Sequence, residues 1–135
     1  MKIGELAAKA LCDVQTVRYY EREGLLDAPA RDESGYRHYA ARHLERLRFI
    51  RHCRALDISL AEVRQLLDYS DAPARNCHEV NALIDEHIVR VRQRRSALRA
   101  LERQLVELRR ACHGADETQS CAILDTFMRA PAEAG

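Results

Sequence analysis

The sequence predicts a mainly α-helical protein, with a winged helix-turn-helix domain first, then a long helix, then a short loop and helix. Three observations favour this fold. Apolar residues recur at helical spacing in short segments over residues 1–70, and alternating residues around SGYRHY indicate a β-hairpin. The stretch from Cys77 to Ala111 contains neither proline nor glycine. A chain of 135 residues without tryptophan can bury one small core but no large catalytic domain, so we do not expect an enzyme.

The first two helices are predicted in IGELAAKAL and VQTVRYYEREGLL. One face of the first helix carries Ile3, Leu6, Ala7 and Ala10. Asp13 is suited to cap the second helix, and Gly24 is suited to end it. Two short helices joined by a tight turn form a helix-turn-helix. The following segment, Leu25 to Tyr39, contains Pro29 and is expected to form a hairpin, the wing, with its turn at 33–35.

Two more helices are predicted before the long one. Apolar spacing continues from Ala41 to Leu56, and a break over 57–59 precedes LAEVRQLL. Ser59 and Glu62 have the spacing of a capping box. The polar stretch Asp68 to Asn76, which contains a proline, is expected to end this region. We therefore predict a winged helix-turn-helix DNA-binding domain over 1–70 and a linker over 71–76.

The long helix carries an apolar heptad repeat. One core position would hold Ile84, Val91, Leu98, Leu105 and Cys112, and the other would hold Val80, His87, Arg94, Leu101 and Leu108. His87 and Arg94 depart from the apolar pattern, as residues that fix register often do. We predict a dimerisation helix over 77–111 that forms an antiparallel two-stranded coiled coil. A metal-binding loop and short helix over 112–128 and a flexible tail over 129–135 complete the chain.

Three of the five cysteines lie at the two ends of this helix, and their placement predicts a metal site shared by two subunits. A helix from Cys77 to Ala111 is about 50 Å long, so Cys77 and Cys112 of one chain cannot share an ion. Antiparallel pairing brings Cys77 of one subunit beside Cys112 and Cys121 of the other. Thiolates favour soft ions such as Zn(II), Cd(II), Hg(II), Pb(II) or Cu(I). Two such sites would form in each homodimer.

The remaining candidate ligands are weaker. His113 follows Cys112 directly and is a candidate fourth ligand, as are His78, Asp116 or a water molecule. Cys12 and Cys53 lack partners in the helical pattern and are expected to be small buried apolar residues. The lack of any apolar run of about 18 residues predicts a cytoplasmic protein with no membrane association. In that reducing compartment we expect the five cysteines to be metal ligands or buried thiols rather than disulfides, and their odd number fits this.

Charge is distributed unevenly along the chain. The net charge is only +1, but six arginines and one acid, Glu45, lie between Tyr36 and Arg54. A local surplus of this kind can neutralise phosphates and points to a nucleic-acid partner. A second arginine-rich run, Arg90 to Arg110, is interpreted as a solvated helix face.

These motifs together resemble the MerR family of transcription regulators. The resemblance rests on TVRYYEREGLL, GYRHY, RFIRHCRALDISLAEVRQLL and a coiled coil with terminal cysteines, and it covers Lys2 to about Thr126. The segments NCHEVNALIDEHI, LRRACH and CAIL are similar to the lead- and cadmium-sensing subgroup. The resemblance implies a homodimer on a palindromic promoter element with an over-long spacer. It further implies repression without metal, and activation by underwinding of the DNA, with RNA polymerase at the promoter, once metal binds.

The recognition helix and the positions matched by the resemblance supply candidate DNA contacts. The side chains placed to reach the major groove are Gln15, Thr16, Arg18 and Tyr19. The positions that match phosphate contacts in the family are Tyr36, Arg37 and Arg54.

The resemblance also narrows the range of metal ions that the site is expected to bind. Family members that sense monovalent copper, silver or gold carry serine where Cys77 stands, so three thiolates imply a divalent ion. Pb(II) suits a pyramidal three-sulfur site, whereas Zn(II) requires a fourth ligand. We therefore expect Pb(II) or Cd(II) as the effector. A Zn(II)- or Hg(II)-responsive regulator of the same family and a cysteine-bearing coiled-coil protein that buffers metal are the alternatives.

Overall fold

A computed structural model describes residues 1–74, 77–112 and 121–129, and within them the fold is mainly α-helical, as expected. The chain forms two compact units, Met1–Leu83 and Ile84–Gly135. The elements in chain order are α1 (Ile3–Lys9), α2 (Val14–Arg22), β1 (Ala30–Arg31), β2 (Arg37–His38), α3 (Ala41–Ala55), α4 (Leu60–Asp71), α5 (Cys77–Arg110) and α6 (Ala122–Arg129).

The helix-turn-helix is confirmed, and its helices surround the core of the first unit. Helix α1 packs on both α2 and α3. The largest fully buried side chains are Leu6, Val17, Leu25, Leu47, Ile50, Ile58 and Val63. The predicted cap of α2 is also present, since the Asp13 carboxylate accepts hydrogen bonds from the backbone N–H and the hydroxyl of Thr16, both at 2.7 Å.

The wing is a two-stranded antiparallel hairpin. Ala30 lies opposite His38, and Arg31 lies opposite Arg37. Gly35 lies in the turn at φ +82°, a left-handed conformation that glycine adopts without steric cost. With only two residues in each strand, the hairpin cannot be stable by its own pairing and needs contacts with the helices.

Helices α3 and α4 form as expected, with one correction at the end of α4. The capping box is confirmed, because the Glu62 N–H donates to Ser59 Oγ at 3.2 Å and the Ser59 N–H donates to Glu62 Oε1 at 3.3 Å. The helix then continues to Asp71, several residues into the polar stretch that we expected to be irregular from Asp68. The Arg46 guanidinium binds the Asp71 carboxylate at 2.9 Å and thereby holds this last turn.

Helix α5 begins at Cys77 and ends at Arg110, so the long helix is confirmed with one residue fewer than expected. Its apolar heptad side chains Val91, Leu98, Leu101 and Leu105 are exposed within the single chain. Antiparallel pairing and the domain boundaries stay predictions. No helix in the described part of the chain is long and apolar enough to cross a membrane.

Candidate nucleic-acid interface and metal centre

The recognition helix α2 presents most of its predicted contact residues to solvent. Gln15, Arg18 and Tyr19 are exposed. Thr16 is half-buried, and its hydroxyl donates to Asp13, so this side chain takes part in capping the helix. Of the four predicted contact residues, Gln15, Arg18 and Tyr19 are therefore the ones that α2 can offer to a DNA groove.

The wing turn is organised by Asp32, a residue that the sequence pattern did not single out. Asp32 Oδ1 accepts from the backbone N–H groups of Ser34 and Tyr36, at 2.9 and 3.0 Å, and Oδ2 lies 2.8 Å from His38 Nε2. The hydrogen bond with His38, followed by that with the Tyr36 N–H, holds the pKa of Asp32 below its usual value. The Tyr36 side chain stays exposed beside the Lys2 ammonium, which lies 5.8 Å from the ring centroid.

The second predicted wing contact, Arg37, is tied to the recognition helix. Its guanidinium lies 3.4 Å from Glu21 Oε2 on α2. The hydroxyl of the buried Tyr39 donates to the other carboxylate oxygen of Glu21. Burial, and then the hydrogen bond with Glu21, raise the pKa of Tyr39 to about 12, so this hydroxyl keeps its proton at neutral pH. Glu21 therefore links α2 to the wing through its contacts with Arg37 and Tyr39.

Part of the arginine surplus serves the fold. Arg46 donates to the Leu25 carbonyl at 2.8 Å, and Arg51 donates to the Ala10 carbonyl at the end of α1. Arg54 donates to the Ile58 carbonyl at 2.7 Å, where it closes the turn between α3 and α4. Arg42 and Arg48 are exposed. A guanidinium has five N–H donors, so Arg54 keeps donors for a phosphate while it holds this turn.

The described cysteines of the second unit lie together. The Cys121 thiol precedes α6 and accepts from the backbone N–H groups of Leu124 and Ile123, and it also makes a hydrogen bond with the Cys112 side chain. These contacts, in that order, lower the pKa of Cys121 against the opposing effects of burial and of Asp125. Because metal binds the thiolate, this environment fits a metal ligand.

The backbone of Cys112 is fixed by Arg109 in the last turn of α5. The Arg109 guanidinium donates to the Cys112 carbonyl at 2.9 Å, and the Cys112 N–H donates to the Arg109 carbonyl at 3.3 Å. The sequence pattern does not single out Arg109 for such a role. An arginine near the last carbonyls of a helix is the signal that could have indicated it.

The third predicted ligand, Cys77, is the exposed first residue of α5. Within residues 1–74, 77–112 and 121–129, no three His, Cys, Asp or Glu side chains form a group that could hold a metal ion. The candidate ligands His113 and Asp116 lie outside the described residues.

Cys12 and Cys53, in the helix-turn-helix domain, have a different environment. Cys53 is buried, as expected, whereas Cys12 is only half-buried. Burial raises the pKa of both thiols. A raised pKa disfavours the thiolate, which fits their expected role as small apolar residues.

Comparison with known proteins identifies the family. Residues 1–70 match the MerR HTH family of regulatory proteins, and residues 44–108 match the MerR DNA-binding region. The crystal structure of the transcription regulator PbrR691 from Ralstonia metallidurans CH34 in complex with lead(II) is 55% identical and superposes with a TM-score of 0.85, covering 94% of this chain and 98% of that one.

Two curated relatives give the same family. The HTH-type transcriptional regulator ZntR homolog of Haemophilus influenzae is 44% identical over 87% of both chains. The mercuric resistance operon regulatory protein of Bacillus cereus is 34% identical over 95% of this chain and 97% of its own length. The chain therefore belongs to the MerR family of helix-turn-helix regulatory proteins.

Proposed function

We propose that this protein is a homodimeric, metal-responsive transcriptional regulator that binds promoter DNA and senses Pb(II) or Cd(II). The observation that carries the proposal is the contact between Cys112 and Cys121, where backbone N–H groups at the start of α6 favour the Cys121 thiolate. A cysteine that favours the thiolate form, next to a second cysteine, suits a soft metal ion. Cys77 of the partner subunit would supply a third thiolate.

DNA binding is assigned to α2 and the wing. Gln15, Arg18 and Tyr19 are exposed on α2 and would enter the major groove, where arginine and glutamine read base edges. Tyr36 and Arg37 on the wing, and Arg54 at the end of α3, would contact phosphates and set the position of the protein on the duplex. Two copies would address the two halves of a palindromic promoter element, with RNA polymerase bound at the same promoter.

The choice of metal follows from the donor set. Three thiolates satisfy Pb(II) and can bind Cd(II), whereas Zn(II) in a protein normally takes four ligands. The similarity to a regulator solved with lead(II) supports the same choice. Zn(II) and Hg(II) are the alternative effectors, since the chain is also similar to a ZntR homolog and to a mercuric resistance operon regulatory protein.

Metal would act as an allosteric ligand. Joining Cys77 of one subunit to Cys112 and Cys121 of the other restricts how the two subunits move relative to each other. Underwinding the promoter costs a few kcal/mol, and a metal-stabilised dimer can supply that energy if it fits distorted DNA better than relaxed DNA. Repression without metal and activation with metal would then be two states of one complex.

Metal selectivity is the first prediction to test. We expect the reduced protein, titrated without oxygen against a competing chelator, to prefer Pb(II) or Cd(II) over Zn(II) by about a hundredfold or more, because its three thiolates provide no fourth donor. Cys77→Ser should abolish this preference. Cys12→Ser removes a thiol that is not one of the three proposed ligands, and it should leave the preference unchanged. Preference for Zn(II) or Hg(II) would show that the metal assignment is incorrect.

Sharing of the site between subunits can be tested with mixed dimers. In the antiparallel arrangement, neither the Cys77→Ser homodimer nor the Cys112→Ser/Cys121→Ser homodimer contains a complete metal site. A heterodimer of the two variants regains one complete site, formed by Cys77 of the second variant and the cysteine pair of the first. We expect the heterodimer to bind half the metal of the wild-type dimer with wild-type affinity. Failure to recover tight binding would contradict a shared site.

A metal-buffering protein is the rival function. A regulator binds one duplex sequence far more tightly than random DNA, by a factor of about a thousand or more. Selection of duplexes from a random library by the wild-type protein, with and without metal, separates the two functions. A buffer would enrich no sequence.

A further inference from the structure

We infer that Glu21 is a positioning residue for DNA binding, which sets the wing arginine Arg37 against the recognition helix. The inference rests on the proposed contact between Arg37 and a DNA phosphate. Glu21 itself is not placed to touch DNA as an attractive group, because its carboxylate carries the same charge as the phosphates. Its effect would pass through Arg37.

The geometry starts from an anchored carboxylate. The Glu21 side chain is only 15% exposed, compared with 43% for Arg37. One carboxylate oxygen accepts from the Tyr39 hydroxyl, and the other faces the Arg37 guanidinium at 3.4 Å. Tyr39 is itself fixed, because its backbone N–H and carbonyl pair with the carbonyl and ammonium of Met1 at 2.7 and 2.8 Å. Arg37 therefore meets an acceptor that cannot move far.

The wing needs such an anchor. Each strand has two residues, and all four residues are exposed. A hairpin this short has little stability of its own, so its position relative to α2 depends on tertiary contacts. The contact from Arg37 to Glu21 joins the wing directly to the C-terminal end of the recognition helix α2. The arginine has donors left over, so it can keep this contact and bind a phosphate as well.

Two effects of Glu21 on DNA binding have opposite signs. Its carboxylate lines a cleft with Arg18, Arg22 and Arg37, and a negative charge there repels phosphates. If electrostatic repulsion were its whole effect, Glu21→Gln would strengthen DNA binding. If Glu21 positions Arg37, the same variant weakens binding, because glutamine does not hold the guanidinium by charge. The sign of the change separates the two effects.

The test uses the full-length dimer and a duplex that the wild-type protein selects from a random library. We expect Glu21→Gln to weaken DNA binding about fivefold when Arg37 is present. In an Arg37→Ala background the same substitution should weaken binding by less than about twofold, because the two residues act as a coupled pair. Glu23→Gln is the matched control. It removes the same charge one residue beyond α2, and we expect binding to become slightly tighter or stay unchanged.

Tyr39→Phe tests the anchor without any change of charge. The phenyl ring keeps the buried packing and loses the hydroxyl that holds Glu21, so binding should weaken in the same direction as in Glu21→Gln. Thermal unfolding of each variant checks that the domain remains folded.

Unchanged or tighter DNA binding by folded Glu21→Gln, or an equal loss of binding with and without Arg37, would overturn this inference but not the proposed function. Enrichment of no duplex by the wild-type protein would instead overturn the proposed function on which the inference rests.

Discussion

At the scale of single residues, Leu11 and Asp57 are the two residues other than glycine, within 1–74, 77–112 and 121–129, that have a positive φ. Leu11 has φ +58° in the turn between α1 and α2, and Asp57 has φ +61° in the turn between α3 and α4. For a bulky residue such as leucine this region costs about 1–2 kcal/mol, whereas aspartate tolerates it better. Leu11 is also 81% exposed, so its side chain contributes little packing to offset that cost.

Replacement of Leu11 by glycine should therefore stabilise the protein. We expect the free energy of unfolding to rise by about 0.5–1 kcal/mol, since the relieved strain exceeds the added chain entropy of glycine. Chemical denaturation followed by circular dichroism measures the change. Ala8→Gly, at an exposed position inside α1, is the control and should lower the stability. A loss of stability in Leu11→Gly would show that the turn depends on the leucine side chain.

At the scale of elements, helix ends and short turns are fixed by side chains that bind the backbone. Asp13 begins α2, Ser59 and Glu62 begin α4, and Asp32 shapes the wing. Arg64 acts in the same way at the other end of a helix, since it donates to the carbonyl of Glu23 just after α2, at 2.7 Å. These bonds explain why short helices and a hairpin of two-residue strands stay ordered around a small core.

Loss of the α4 cap gives a prediction at this scale. Ser59→Ala removes the acceptor for the Glu62 N–H and should lower the free energy of unfolding by about 1 kcal/mol. Ser70→Ala, an exposed serine within the same helix, is the control and should have almost no effect. Equilibrium urea denaturation compares the two variants. Equal stability of both would contradict a stabilising role for the capping box.

At the scale of the whole molecule, the exposed apolar side chains of α5 indicate that a second copy of the chain would bury them. Leu98, Leu101 and Leu105 are 58%, 49% and 57% exposed in the single chain, and they share the heptad face. A helix of 34 residues with a continuous exposed apolar stripe is typical of a coiled coil. The proposed metal site requires the same pairing, because one chain presents only two of the three cysteines together.

A charge on this face should separate the subunits. We expect Leu101→Glu to convert the dimer to a monomer at micromolar concentration and to abolish tight metal binding, because a buried unpaired carboxylate is strongly unfavourable. Ser96→Glu places the same charge on the opposite side of the helix and should leave the dimer intact. Analytical ultracentrifugation distinguishes the two. A dimer that persists in Leu101→Glu would place the interface elsewhere.

Much of the fold was predictable because its signals are local. Apolar spacing indicated α1 to α5, and the motifs of Asp13 and of Ser59 with Glu62 marked helix starts that the structure confirms. The end of α4 was placed too early, because the bond from Arg46 to Asp71 joins residues far apart in sequence. For the candidate site, sequence spacing selected the cysteines, although it did not show how any of their thiols is stabilised.

The sequence by itself determined the helical class, the winged helix-turn-helix order, the long helix and the cysteines at its ends, because periodicity, caps and spacing act over a few residues. Only the tertiary structure decided which charges serve the fold and which remain exposed. It directed Arg46 and Arg51 to backbone carbonyls of distant segments, and it joined Glu21 to Arg37 and Tyr39. Such contacts depend on which segments meet in space, and local sequence patterns do not indicate which distant segments are in contact.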